Sequence, residues 1–246
     1  MRTPFEVTHE HVEVLEENQL VELLRLLLYA EAANLGLTPD AVQVGLNINV
    51  PDGGSDGQIS WSGGPEPDGR LSSRHLCFQS KKGNMGPNDW GKEILKRDGT
   101  LKPKVKEVVD TSGTYVCFSN QSLTSKQHDE REEAIRNSLE EAGELRDSIQ
   151  IKVYGSEDIS KWVSEYPGVA LHALEFVAAS PPAGAMTWQE WEGYKFNSRL
   201  PYLETPERRA IQDQLRTKLA DECVVSRLVG QSGVGKSRLI TELFRR

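Results

Sequence analysis

The apolar residues between Asn18 and Leu35 include positions 20, 21, 23, 24, 27, 28 and 32, with Gly36 just beyond. This helical spacing predicts one buried helix face and a stop at the glycine. The pattern then switches to a period of two. Val42, Val44, Leu46, Ile48 and Val50 alternate with Gln43, Gly45, Asn47 and Asn49, which predicts a strand. Gly53-Gly54-Ser55 reads as a turn and Gln58–Ser62 as a second strand, while the Pro- and Gly-rich stretch Gly63–Ser73 reads as a surface loop. His75–Ser80, Thr114–Ser119 and Ile149–Tyr154 are short apolar runs and predict three more strands. Helices are expected at Asp89–Arg97, Lys104–Val109, Lys126–Leu145 and Ser156–Tyr166, the last opening on a capping serine and an acidic first turn. The resulting order, α-β-β-β-α-β-α-β-α, predicts an α/β fold with a mixed sheet flanked by helices.

The pattern changes after Glu175. Residues 178–204 read as a linker, starting with Ala-Ala-Ser-Pro-Pro-Ala-Gly and carrying a Trp-rich segment. Thr205–Ala220 predicts a charged helix with Pro206 in its first turn. The chain therefore divides into a domain over 1–177, the linker, and a C-terminal piece over 205–246.

Composition narrows the class. Of 246 residues, 37% are hydrophobic and 27% charged, with a net charge of −8. No apolar run is long enough to cross a bilayer, so no membrane partner is expected. Three widely spaced cysteines, Cys77, Cys117 and Cys223, read as reduced thiols of a cytoplasmic protein. The acidic total argues against a uniform nucleic-acid coat, but the charge is uneven. Lys81–Lys106 holds eight basic and three acidic residues, and Asp129–Asp147 holds the reverse. The acidic run reads as a solvated helix face. The basic stretch offers a footing for a phosphate backbone, with Lys82, Lys92 and Lys96 as DNA-contact candidates.

The basic stretch begins where a strand ends in Gln79-Ser80-Lys81. Residues 79 and 81 leave one face of a strand. If Asp56, at the head of the preceding strand, meets them there, a carboxylate, an amide oxygen and an ammonium share one place. The two oxygen donors suit a hard divalent cation, magnesium above all. Bound magnesium polarises a phosphate and lowers the pKa of a bound water, and Lys81 can orient that water or stabilise developing phosphoryl charge.

Gly54-Ser55-Asp56-Gly57 followed by Gln79-Ser80-Lys81 resembles the PD-(D/E)XK nuclease superfamily, specifically its Mrr-like branch, over roughly residues 15–170. The resemblance implies a restriction-endonuclease-like fold, a Mg2+-dependent DNA endonuclease activity, Asp56 and Gln79 as metal ligands and Lys81 as the catalytic lysine. A carboxylate usually fills the Gln79 position, so either the metal is held less tightly or another acid, Glu22 or Asp52, helps to complete the site. A catalytically inert nuclease fold used for DNA binding or oligomerisation is the alternative.

A second motif, GQSGVGKS at Gly230–Ser237, fits G-x-x-x-x-G-K-[ST] at every position. Val224–Val229 precedes it as a strand would and Leu239–Phe244 follows as a helix would. Gly230, Ser232, Gly233 and Gly235 would shape a phosphate cradle, Lys236 would reach the β- and γ-phosphates of ATP, and Ser237 would hold magnesium. No second acidic metal ligand at the end of another strand follows in the nine residues after Ser237, so the P-loop is expected to be incomplete here and the start of a larger NTPase. The segment resembles the entry to STAND-type NTPases. That resemblance implies a homo-oligomerising, nucleotide-controlled effector of the kind found in bacterial anti-phage defence.

Overall fold

The computed structural model describes residues 6–45, 53–177, 202–219, 227–231 and 234–244. Asp52, Cys223, Ser232, Gly233, residues 178–201 of the linker, residues 46–50 of the first expected strand and most of the expected strand Val224–Val229 lie outside the described residues. The chain forms two compact units, Met1–Ala185 and Met186–Arg246.

The first unit is built on a five-stranded sheet. Its strands are β1 (Val42–Val44), β2 (Gly57–Ser60), β3 (His75–Lys81), β4 (Thr114–Ser119) and β5 (Gln150–Tyr154), arranged in that order. β1–β2 and β2–β3 pair antiparallel, whereas β3–β4 and β4–β5 pair parallel, so the sheet is mixed as expected. The helices are α1 (His9–Glu13), α2 (Glu17–Asn34), α3 (Pro87–Glu93), α4 (Pro103–Asp110), α5 (Ser125–Glu141), α6 (Ser156–Ser164) and α7 (Pro167–Phe176). Three differences from the sequence reading have local causes. α1 is a single turn, too short to show a period. α7 opens on Pro167 directly after α6, so one apolar stretch holds two helices. Gly155, not Ser156, caps α6, and Ser156 is buried in its first turn.

Strand alternation sorts the core into two layers. Leu76, Phe78, Val116 and Phe118 face α2, α6 and α7, where Trp162 packs against Phe78, Phe118 and Tyr154 with ring centroids 5.6–6.5 Å apart. The Trp162 Nε1–H donates to buried Glu31 at 2.6 Å, so its polar edge is satisfied. Cys77, Tyr115, Cys117, Ile151 and Val153 face the other way, against Trp90, Ile94, Val105, Ile135 and Leu139 of α3, α4 and α5. Burial raises the Cys117 thiol well above its ordinary pKa, which makes it an unreactive core residue.

In the second unit, α8 (Pro206–Leu219) contacts α9 (Lys236–Phe244), with Gln212 of α8 donating to the Leu239 carbonyl at 3.5 Å. No helix among the described residues is long and apolar enough to cross a membrane.

Candidate active site

Asp56 stands one residue ahead of β2, and the sheet fixes its place. Its N–H donates to the Phe78 carbonyl at 2.9 Å, and its carbonyl accepts from Gly45 N–H at 3.3 Å, which extends the ladder on both sides. The next residue, Gly57, points towards α2, where an added Cβ would lie 3.2 Å from Leu24 and from Val44. By alternation, the Asp56 side chain leaves the opposite face, the one carrying Cys77, Gln79 and Lys81. There Asp56 Oδ2 accepts from Gln79 Nε2 at 2.5 Å and from the Ser80 backbone N–H at 2.6 Å. The acid and the amide expected to meet do meet, although 23 residues and the Gly63–Ser73 loop separate them in sequence. The antiparallel register, Gly57 opposite Phe78, brings them together.

Gln79 is 3% exposed, and its Oε1 has no hydrogen-bond partner. An orphaned buried acceptor costs about 1–3 kcal/mol, so this oxygen is held ready for a donor or a cation. A half-turn of the amide exchanges Nε2 and Oε1 and sets a hard oxygen beside the Asp56 carboxylate. The two donors therefore fit a divalent cation of the magnesium type. Among the described residues no group of three His, Cys, Asp or Glu side chains converges to hold a metal, so such a cation would draw its other ligands from backbone, water or substrate.

Lys81 leaves the same face two residues on. Its ammonium lies 3.5 Å from Glu93 of α3, which also accepts from Lys102 at 2.7 Å. Glu93 and Lys102 are site residues that sequence reading missed. Both had been counted only as charges within the basic stretch. Lys102 arrives because Gly54 has φ +96° and no side chain: a Cβ there would fall 2.6 Å from Lys102 Cδ. Asp56 and Glu93 also help keep the buried Tyr115 phenol well above its ordinary pKa, with burial as the main cause and Cys117 and Cys77 adding more than either acid.

The other expected residues are placed as follows. The Glu22 carboxylate is taken up by Arg25 on its own helix, at 2.5 and 2.7 Å, and this contact raises the arginine's pKa. Arg25 in turn sits over the Tyr29 ring, which reaches the hollow beside Asp56. Lys82 pairs with Glu16 at 2.6 Å, an exposed contact worth about 0–1 kcal/mol, so its ammonium is easily exchanged for a phosphate. Lys92 and Lys96 are exposed.

In the second unit, Gly235 has φ +88° just before α9, and Lys236 opens the helix. The Lys236 ammonium folds back onto the carbonyls of Gly230 at 2.8 Å and Gln231 at 2.7 Å. A lysine parked on its own loop's carbonyls at a helix N-terminus fits a phosphate group, which would take over those contacts. Ser237 lies in the first turn of α9.

Comparison with protein-family models, with curated proteins and with solved structures gives no match to the chain in any of the three.

Proposed function

We propose that the first unit is a Mg2+-dependent DNA endonuclease of the Mrr-like PD-(D/E)XK type, acting as the effector of an NTPase-regulated anti-phage defence protein. The observation that carries this reading is the pairing of Asp56 with Gln79 on the face that also bears Lys81. Asp56 and Gln79 would hold magnesium, which when bound supplies a polarised phosphate and a water of lowered pKa. Lys81 positions the attacking water or steadies charge on the phosphoryl oxygens. Glu93 holds the lysine in place until substrate arrives. The basic stretch with Lys82, Lys92 and Lys96 tracks the backbone, and the Gly230–Ser237 loop takes the phosphates of ATP as part of a STAND-type switch. Cutting both strands of a duplex in a single encounter takes two such sites, which suits a homo-oligomer.

The second reading is an inert nuclease fold that binds DNA or drives oligomerisation. It draws on Gln79 standing where a second carboxylate would be useful, and on the ion pair between Lys81 and Glu93. One experiment separates the two: incubation of wild type and Lys81→Ala with plasmid DNA and magnesium. Mg2+-dependent cutting that falls by about 10²–10³-fold in the variant is expected. DNA binding without cutting by wild type would replace the first reading with the second.

A further inference from the structure

We propose that the open groove on the β1–β2 face beyond Asp56 receives an unstacked nucleobase of the substrate strand, read by the side-chain amides of Gln43 and Gln58. Gln43 and Gln58 stand directly opposite each other in the β1–β2 register. Their neighbours Val42 and Ile59 belong to the apolar core on the other face, so the two amides share the face that carries Asp56. Gln58 is 9% exposed, yet its Nε2 donor has no partner. A buried amide donor without an acceptor is costly, and nothing in the nuclease site or the core uses it. The terminal amide torsion is soft, so a turn presents that donor to an incoming group.

The groove has a volume of about 830 Å³, and its walls include Ser60, Arg74, His75 and Lys104. Gln43, Gln58 and Lys104 also line the hollow beside Asp56 and Ser55, so the groove opens towards the proposed cleavage site. The chemistry of the walls selects the ligand. Arg74 is paired with Glu66 at 2.8 Å, and Lys104 with Glu107 at 2.8 Å. Glu66 and Glu107 line the groove beside Arg74 and Lys104, so its two cations are balanced by two acids and no net positive charge favours a phosphate over a neutral polar ring. A primary amide offers a donor and an acceptor in one plane, and this matches the paired groups on a base edge. The shape decides between stacked and unstacked. Gln58 lies at the floor of a concavity and cannot enter the groove of a duplex, so the base must project from a single strand or be flipped out.

This inference deepens the nuclease reading and rests on it for the direction of the strand, but it can fail separately. The test uses the whole chain in chelator, where metal-dependent cutting is silent. A pool of single-stranded DNA with a randomised centre is bound, and the retained strands are sequenced. Wild type is expected to enrich one base at one position by about tenfold. Gln58→Leu and Gln43→Leu should flatten that preference while melting curves show each variant folded. Replacing an unpartnered amide by an apolar group of similar size is expected to leave the fold intact. A flat wild-type profile, or an unchanged preference in both variants, overturns the proposal. Plasmid cutting in magnesium is scored separately. Cutting without base preference sinks this inference alone, and base preference without cutting sinks the nuclease reading alone.

Discussion

Phe78 and Gln79 are consecutive residues of β3 and nearly equally buried, at 1% and 3% exposed, but they face opposite layers. Phe78 enters a layer of apolar contacts in which the Trp162 indole N–H has its acceptor on Glu31. Gln79 enters a layer whose inner part is equally dry, at Cys77, Tyr115 and Cys117, but whose edge holds Asp56, Lys81, Glu93 and Lys102. Burial alone does not distinguish the two residues. The neighbours do: each face keeps a buried oxygen without a partner, Ser80 Oγ on the Phe78 face and Gln79 Oε1 on the other, and it is the Gln79 amide that lies on the Asp56 carboxylate. The stability of the sheet and its chemistry are thus assigned to alternate residues of one strand.

The sharpest way to break this contrast is Phe78→Ala. It removes a ring 6.5 Å from Trp162 in a packed layer and should cost about 3–5 kcal/mol, read as a lower urea midpoint in tryptophan fluorescence. A cost under about 1 kcal/mol would mean that this layer is not the one that holds the sheet.

The next largest effect is expected from Gln79→Glu. In chelator the new carboxylate lies against Asp56, in a position where the amide now donates at 2.5 Å. Two like charges at that distance repel, so the variant should melt below wild type without metal. With magnesium the order should reverse, and metal affinity measured by calorimetry should rise on the order of tenfold. Equal melting in chelator, or no gain with magnesium, would show that the Asp56–Gln79 pair is not a cation site.

How much of this was legible beforehand follows the same division. α2 could be read because its period is long and regular, and the strands because short apolar or alternating runs stand between turn signals; Asp56, Gln79 and Lys81 stood out by residue type and alternation. The β2–β3 register that joins Asp56 to Gln79 was inferred from order alone. Glu93 and Lys102 were hidden because their meeting depends on α3 and α4 folding over one edge, and on Gly54 making room, neither of which leaves a local pattern. Gln43 and Gln58 were visible only as the polar half of an alternation. Their pairing across β1–β2 and the missing partner of Gln58 are properties of the assembled sheet. Glu22 shows the converse: residue type and helix position suggested a ligand, but Arg25, three residues on, claims its carboxylate.

The smallest expected effect tests the outer end of the same face, where His75 begins β3. Burial lowers its pKa below the ordinary 6.5; Glu107 opposes the shift and Lys104 adds to it. Its Nδ1 lies 3.0 Å from Thr111 Oγ1. Between the lowered native value and 6.5 the unfolded chain binds more protons than the native one, so stability rises with pH there and is lost as pH falls from 6.5 through the native value. His75→Gln keeps a polar partner for Thr111 but cannot titrate. The melting temperature of wild type should therefore drop more than that of the variant as the pH is lowered from neutrality through this window, with the two curves running parallel above it. Parallel curves throughout would mean that His75 is as well solvated when folded as when unfolded, and that this end of the face is wetter than the Gln79 end.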